Sequence, residues 1–452
     1  MNKKYVKDMT EGNELTLLLG FSLPMLVGNL FQQFYNMVDS VIVGKYIGKN
    51  ALAAVGTTGS LNFLFFSLCI GLTGGIGVVI SQYFGANDEK NVKKSIYNSI
   101  RIVALSAVLM SILGILLARP ILVWLHTPKE ILDDAVLYMQ IVSAGILGVA
   151  AYNAISSILR ALGDSLTPLI FLIFASVINV VLDLLLVIRF SLGVRGVAYA
   201  TVLSQIFSAV GSILFSVKKN PYLKISREEM VYDFDITAKC YKLGLPLAMQ
   251  SSLIAISCVA LQSVVNTFGS TVVAAFTATS RIEQLVQQPY NSLGIAVSTF
   301  TGQNMGAGKL NRVKGAYKKS MMLVAAFSFV MLVVFHLFGN LIMRGFVDDL
   351  EVIRYGTMAL KITSWFYLGL GTIYVVRGLL NGAGDATYSM INEAVEVSGR
   401  IIFASTLTMI PFIAEWGVWY ATALTWTITG LFSLLRYKQG KWTTIKLVEK
   451  AA

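Results

Sequence analysis

The chain has 452 residues, of which 56% are hydrophobic and only 13% are charged. Soluble domains usually carry about 25% charged residues, so a water-soluble fold of this length would lack the polar surface it needs. The composition also excludes a disordered, collagen-like or coiled-coil chain. The net charge of +12 is distributed along the chain as in a membrane protein, so we expect no nucleic-acid partner.

Twelve stretches are long and apolar enough to cross a bilayer as helices, which needs about 20 residues. Unbroken apolar runs such as 60–80 lack the alternation of a transmembrane β-strand. The predicted fold class is an all-α polytopic membrane protein with twelve transmembrane helices. The predicted spans are 15–43, 51–82, 96–118, 135–159, 166–188, 196–217, 240–266, 272–302, 320–343, 355–377, 387–412 and 415–435.

The Lys and Arg residues between these spans predict the orientation. With the N-terminus inside, the inner segments hold 22 basic residues and the outer segments hold 8. Short-loop basic residues favour the cytoplasmic side, so both termini are predicted to be cytoplasmic. The first apolar run is too long for a signal-peptide core, and we expect residue 1 onward to be mature protein.

The three cysteines and two histidines form no sequence cluster. We therefore predict neither a disulfide framework nor a transition-metal site, and no cofactor.

The sequence repeats itself at an offset of 221 residues. Residues 196–201 read GVAYAT and 417–422 read GVWYAT, and Gln82 matches Gln303 at the same offset. Each half holds six spans, an even number, so the repeats are predicted to be parallel around a central cavity. The predicted domains are a cytoplasmic N-terminus (1–14), an N-lobe (15–217), a cytoplasmic linker (218–238), a C-lobe (239–436) and a basic cytoplasmic tail (437–452).

Two acidic residues within predicted spans are the main candidates for function. Asp39 in span 1 and Asp183 in span 5 reach a similar depth in the outer half of the membrane. Asn36 and Asn179 share a helix face with these acids, and Thr201 in span 6 adds a hydroxyl at the same level. Ionisable groups in a membrane are costly and often functional, so we predict a cation-coupling pocket, against the alternative of structural ion pairs.

Other polar residues in the spans predict a substrate cavity or hydrogen bonds between helices, and the sequence leaves both readings open. Glu396 and Arg400 have the spacing of a structural helix pair. Asp164 and Asp385 are predicted helix N-caps, and the glycines of 71–77 are predicted to pack helices closely rather than to bind phosphate. The candidate cavity residues are Gln33, Met37, Gln250, Glu283, Gln287 and Glu393.

Four segments resemble those of multidrug and toxic compound extrusion (MATE) transporters of bacterial type: SQYFGANDEKNVKKS, RALGDSLTPL, TGQNMGAGKLNRVKGAYKKS and NGAGDATYS. The resemblance extends from Leu15 to about Arg436. It implies a transporter, not an enzyme, that exports amphipathic and often cationic compounds by antiport with Na+ or H+. It also implies residence in the bacterial cell membrane.

The resemblance extends to the candidate coupling site. YNMVD, ending at Asp39, and the Asn179-x-x-x-Asp183 pattern resemble the N-lobe cation site of these transporters, and Tyr138 and Thr201 match positions near it. It therefore implies a cation site at Asp39, Asp183, Asn179 and Thr201. The carboxylate, amide and hydroxyl oxygens there suit Na+ and serve a proton equally well, and the ligand type slightly favours Na+. The second half lacks these acids: the offset takes Asp39 to Ala260 and Asp183 to Ala404.

Two other classes of protein compete with this prediction. A lipid-linked oligosaccharide flippase of similar fold would need several cavity Arg or Lys residues for an anionic head group. A membrane enzyme would need a cluster of nucleophile, base or metal ligands, which the sequence does not show. We expect a monomer whose partners are the lipid bilayer and small amphipathic molecules.

Overall fold

A computed structural model of the chain describes residues 6–448, apart from the side chains at 255 and 259. Lys3, Lys4 and Lys450, which count in the predicted inner charge, lie outside the described residues. Within this range the structure is helical and contains no β-strand, as the sequence predicts.

The described chain forms fourteen α-helices. The first half of the chain contains α1 (Glu14–Ile42), α2 (Lys49–Gly85), α3 (Glu89–Trp124), α4 (Lys129–Ala144), α5 (Ile146–Ala161), α6 (Leu166–Asp183) and α7 (Gly193–Lys219). The second half contains α8 (Phe234–Val265), α9 (Ser270–Gly306), α10 (Leu310–Arg344), α11 (Leu350–Ser364), α12 (Tyr367–Ala383), α13 (Ala386–Leu407) and α14 (Gly417–Gln439).

Polar side chains begin several of these helices by capping free backbone N–H groups. Asn13 accepts from Leu15 and Thr16 at α1, and Asp164 accepts from the N–H groups of Leu166 and Thr167 at α6, which confirms its predicted role. The same prediction is wrong for Asp385. Its side chain makes no capping bond.

Eight helices are long and apolar enough to cross a membrane, and two bent pairs would raise the number to ten among the described residues. The pairs are α4 with α5, bent by 46°, and α11 with α12, bent by 54°. The remaining two predicted spans correspond to α9 and α13, which carry many polar residues. The count of twelve therefore remains a prediction.

Helix positions in the two halves follow the sequence repeat. Helices α2 and α9 are each 37 residues long and begin at residues 49 and 270, an offset of 221. Helices α4 and α11 begin at 129 and 350, and α5 and α12 begin at 146 and 367, with the same offset. The internal duplication is therefore visible in the positions and lengths of the helices as well as in the sequence.

Small residues bring the two halves into backbone contact. A Cβ added at Gly71 would lie 2.1 Å from the backbone nitrogen of Ala248, and one added at Gly75 would lie 2.5 Å from that of Gly244. Only glycine allows α2 and α8 to approach this closely. The predicted packing role of the glycine run 71–77 is confirmed.

The two halves also meet at the C-terminal ends of α2 and α9. A Cβ at Gly85 would lie 1.8 Å from the carbonyl oxygen of Gln303, and one at Gly306 would lie 1.9 Å from that of Gln82. Gln303 donates to the carbonyl of Ala161 (2.9 Å), and Gln82 donates to that of Gly382 (2.9 Å). We call this contact the closed end.

The N-terminal segment reinforces the closed end by bridging the halves. The backbone N–H of Lys7 donates to Leu162 of the first half (3.0 Å). The N–H of Met9 donates to the Gln303 side chain of the second half (2.8 Å), and Asn304 donates to the carbonyl of Met9 (3.1 Å). The N-terminal part of α1 accordingly packs into the apolar core of the second half.

Candidate functional site

The acid pair, Asp39 and Asp183, lies where α1 packs against α6. Its two carboxyl groups are within hydrogen-bonding reach of each other, and Asp183 is fully buried. The Oδ1 atom of each acid is buried and has no hydrogen-bond partner among the residues described. No salt bridge to Lys or Arg within residues 6–448 compensates either acid. The structural ion pair considered from the sequence is therefore not formed.

Three of the predicted neighbours surround this pair. With its amide oriented to satisfy both partners, Asn179 donates to Asp183 Oδ2 (3.0 Å) and accepts from the backbone N–H of Thr201 (3.3 Å). The Tyr138 hydroxyl is within hydrogen-bonding reach of the Thr201 side chain. Asn179 thus holds one carboxylate in place and links α6 to α7.

Tyr35 belongs to this cluster and was not among the predicted site residues. Its phenol is close enough to both carboxyl groups and to Tyr138 to interact with them electrostatically. Tyr35 precedes Asp39 by four residues, so the two side chains lie on nearly the same side of the helix. This spacing is the sequence signal that could have identified it.

Asn36 requires a correction, because the residue is exposed and no hydrogen bond joins its side chain to the pair among the described residues. Three residues of an α-helix turn by about 300°, which places Asn36 about 60° to one side of Asp39. The buried neighbours of Asp39 lie on the other side, toward Tyr35. The sequence prediction treated residues three apart as sharing one helix face, and here that face included an exposed residue.

A π-helical segment follows each acid. Val43–Ile47 begins four residues after Asp39, and Leu184–Arg189 begins directly after Asp183. The two segments contact each other. Single π turns are uncommon and often occur at functional sites, because they widen the helix and redirect the residues beside it. Both acids therefore lie at points where the helix geometry changes.

A separate central cavity of about 720 Å³ lies between the two halves. It extends from Gln262 and Phe276 to Ala161 at the closed end. The predicted residues that line it are Gln250, Glu283, Gln287 and Glu393.

Gln33 and Met37 do not line this cavity, which corrects the prediction for both residues. The side chain of Met37 is 60% exposed, because this part of α1 turns its apolar face outward.

A network of charged residues forms the wall of the cavity in the second half. Arg377 contacts Glu393 (2.5 Å) and Glu396 (2.7 Å), and Arg400 contacts Glu396 (2.8 Å). Gln250 donates to Glu393 (3.4 Å). Such pairing compensates charges that would be costly to bury alone.

The pair of Glu396 with Arg400 confirms the prediction from sequence, whereas the role of Arg377 was missed. Arg377 lies on α12 and reaches across to α13, where it also donates to Asn392 (2.7 Å). Spacing along one helix cannot reveal a partner on another helix. Asp385 likewise pairs with Arg436 of α14 (2.8 Å) rather than capping its own helix.

These features define a class of protein: a multi-pass helical membrane protein with two similar halves, a polar cavity between them and a buried acid pair within the first half. Within residues 6–448, no three His, Cys, Asp or Glu side chains are grouped so that they could hold a metal ion.

Comparisons with known proteins identify the family. The MatE family matches residues 24–185 and 246–412, once in each half, with the two matches beginning at Pro24 and Pro246. The chain is 30% identical to the "probable multidrug resistance protein YpnP" of Bacillus subtilis, over 97% of this chain and 98% of that one. It is 23% identical to the "probable multidrug resistance protein NorM" of Thermotoga maritima, over 94% and 92% of the two chains.

Solved structures share the fold. A multidrug resistance MATE family transporter in an outward-facing conformation matches with a TM-score of 0.91 and 22% identity, covering 98% of this chain and 99% of the other. A MOP superfamily transporter from Pyrococcus furiosus matches with a TM-score of 0.90 and 22% identity, over 97% and 98%. The chain belongs to the MATE family. It is a multidrug efflux transporter and not an enzyme.

Proposed function

We propose that this protein is an antiporter that exports amphipathic organic cations in exchange for Na+ or H+, with the acid pair as the coupling site. The observation that carries the proposal is the pairing of two buried carboxyl groups, Asp39 and Asp183, without a basic partner among residues 6–448. Two such groups cannot both remain ionised and uncompensated, so a proton must neutralise one or a cation must bridge them.

The atoms available at the pair suit either ion. Each acid offers one unpartnered oxygen, and the Tyr138 and Thr201 hydroxyls lie alongside. A hard cation such as Na+ prefers carboxylate and hydroxyl oxygens. Both groups of the Asn179 amide are already hydrogen-bonded, to Asp183 and to the Thr201 backbone. Asn179 therefore positions the pair rather than supplying a ligand to the ion.

A physical connection between ion and drug runs through α1. The helix carries Asp39 near its C-terminal end and packs on α9 around its middle, where Asn29 donates to the Ser292 hydroxyl (3.2 Å). Helix α9 in turn lines the cavity through Glu283, Gln287 and Asn291. An ion bound at Asp39 that shifts α1 would therefore move a cavity wall, and ion and drug would each weaken the hold on the other.

The charges of the cavity argue against the alternative of a lipid-linked oligosaccharide flippase. Of its three Arg residues, Arg377 and Arg400 are already paired with Glu side chains. Only Arg160 has no acidic partner within the described chain. A pyrophosphate-linked head group would need several uncompensated cations.

The coupling proposal is tested with purified protein in lipid vesicles. The assay follows the movement of a fluorescent organic cation across the vesicle membrane. One set receives a Na+ gradient at equal pH, and the other receives a pH gradient without Na+. We expect one gradient to drive dye movement and the matching ionophore to abolish it. Failure of both gradients to drive transport by protein that still binds the dye would refute antiport.

Orientation and location complete the proposal: the closed end faces the cytoplasm, and the protein lies in the cell membrane as a monomer. The support is the excess of 22 basic residues over 8 on the predicted inner side. In a variant with Cys258 replaced by Ser, a cysteine at Lys129 should react with an impermeant thiol reagent in intact cells, and one at Lys224 should not. The reverse pattern would invert the orientation.

A further inference from the structure

The two walls of the central cavity carry opposite excess charges. In the second half, the wall holds three carboxyl groups and two guanidinium groups, one acid more than it has basic partners. Glu283 makes no salt bridge within residues 6–448, and its Oε1 atom is buried without a hydrogen-bond partner. The second-half wall is therefore suited to a cationic group.

The first-half wall presents Arg160, which lies on α5 one residue before the closed end contact at Ala161. No hydrogen bond or salt bridge joins its guanidinium to another described residue. The nearby Tyr152 hydroxyl is already used, because it donates to the carbonyl of Pro168 (2.9 Å). The position related by the repeat is Asn381, which lines the same cavity and carries no charge.

Arg160 is half-buried, and its guanidinium faces the cavity without an acidic partner among the described residues, so it is available to an anionic group of a ligand. Arg is also the side chain that best recognises a carboxylate, because its planar group donates two parallel hydrogen bonds. A simple organic cation would pair with the acids of the second-half wall, but it would leave Arg160 without a partner and would be repelled by its charge. A compound with a cationic centre and a carboxylate would satisfy both walls.

We propose that Arg160 recognises the carboxylate of the transported compound, and that the cavity prefers zwitterionic amphiphiles to cations that lack a carboxylate. This inference rests on the proposed function for the cationic part of the substrate and extends it at the closed end. In the sequence, Arg160 lies between the predicted spans 135–159 and 166–188 and is one of the 22 inner basic residues, so only the tertiary structure places it in the cavity.

The test measures binding to purified protein of two rhodamine dyes with the same ring cation, one with a free benzoate and the other its methyl ester. We expect Arg160→Gln to weaken binding of the benzoate dye about tenfold and to leave ester binding unchanged. Arg160→Lys should retain part of the preference, because it keeps the charge and loses the bidentate geometry. Arg101→Gln is the matched control, since Arg101 stacks on Tyr97 and Tyr232 away from the cavity.

An unchanged ratio of the two dye affinities in Arg160→Gln would overturn the inference, and intact ester binding would show that the variant is folded. The result is separable from the coupling proposal. A wild-type protein that prefers the benzoate dye in binding but responds to neither ion gradient would refute antiport alone.

Discussion

The two halves of this transporter share a backbone plan and differ in how they treat buried charge. In the first half, Asp39 and Asp183 lie together without a basic partner in the described chain. In the second half, the related positions are Ala260 and Ala404, and the buried acids Glu393 and Glu396 are bound by arginine. An uncompensated pair must take up an ion, whereas a compensated network need not. The difference supports the proposal that ions are coupled in the first half, whereas the paired charges of the second half stabilise the cavity wall.

The largest expected effect is on the uncompensated acids. Asp39→Asn and Asp183→Asn should each reduce gradient-driven dye transport to the rate of empty vesicles, because an amide neither binds a proton nor balances a cation. Dye binding in detergent should remain. The matched control is Asp164→Asn, since Asp164 is also a buried first-half acid but only caps α6. Coupled transport by the double variant would end the assignment of coupling to the first half.

The compensated network should instead respond with a loss of stability. Arg377→Gln leaves Glu393 and Glu396 with one guanidinium fewer, and breaking a buried pair costs about 3–5 kcal/mol. We expect a marked fall in Tm in detergent. Arg119→Gln is the control, because the pair of Arg119 with Asp133 is exposed and should contribute less than about 1 kcal/mol. Equal Tm changes in the two variants would contradict a buried structural role for the network.

Two glycine variants at the closed end test whether the two halves contribute equally to the transport cycle. Gly85→Ala and Gly306→Ala would place a Cβ within 1.8 Å and 1.9 Å of a carbonyl oxygen of the other half. Because the two contacts are related by the repeat, both variants should slow transport by a similar factor, about tenfold or more. Gly59→Ala on the same α2 helix is the control, since nothing lies within 4 Å of its added Cβ. A large difference between Gly85→Ala and Gly306→Ala would show that the repeat does not extend to the mechanism.

The smallest expected effect separates two threonines related by the repeat. Thr201 lies beside the acid pair, whereas the Thr422 hydroxyl donates within its own helix to the carbonyl of Val418 (3.2 Å). Thr201→Val should raise the ion concentration for half-maximal transport about threefold, which corresponds to one lost hydrogen bond. Thr422→Val should leave that concentration unchanged. Equal shifts in the two variants would remove Thr201 from the coupling site.

The sequence by itself determined the all-helical membrane class, the repeat and the two acids that the structure brings together. It could do so because long apolar runs have one stable form in a bilayer, and because a carboxylate inside such a run is conspicuous. The 221-residue offset also predicted helix lengths, as α2 and α9 show. The pairing of Glu396 with Arg400 was accessible because both residues lie on one helix.

Only the tertiary structure decided which polar residues share a surface. It placed Tyr35 rather than Asn36 beside Asp39, because a difference of one residue turns a side chain by about 100°. It joined Arg377 to α13 and Arg436 to Asp385 across helices. It also placed Arg160, which directly follows the predicted span 135–159, on the cavity wall. These contacts depend on how helices are packed and rotated against one another, and no periodicity along one helix contains that information.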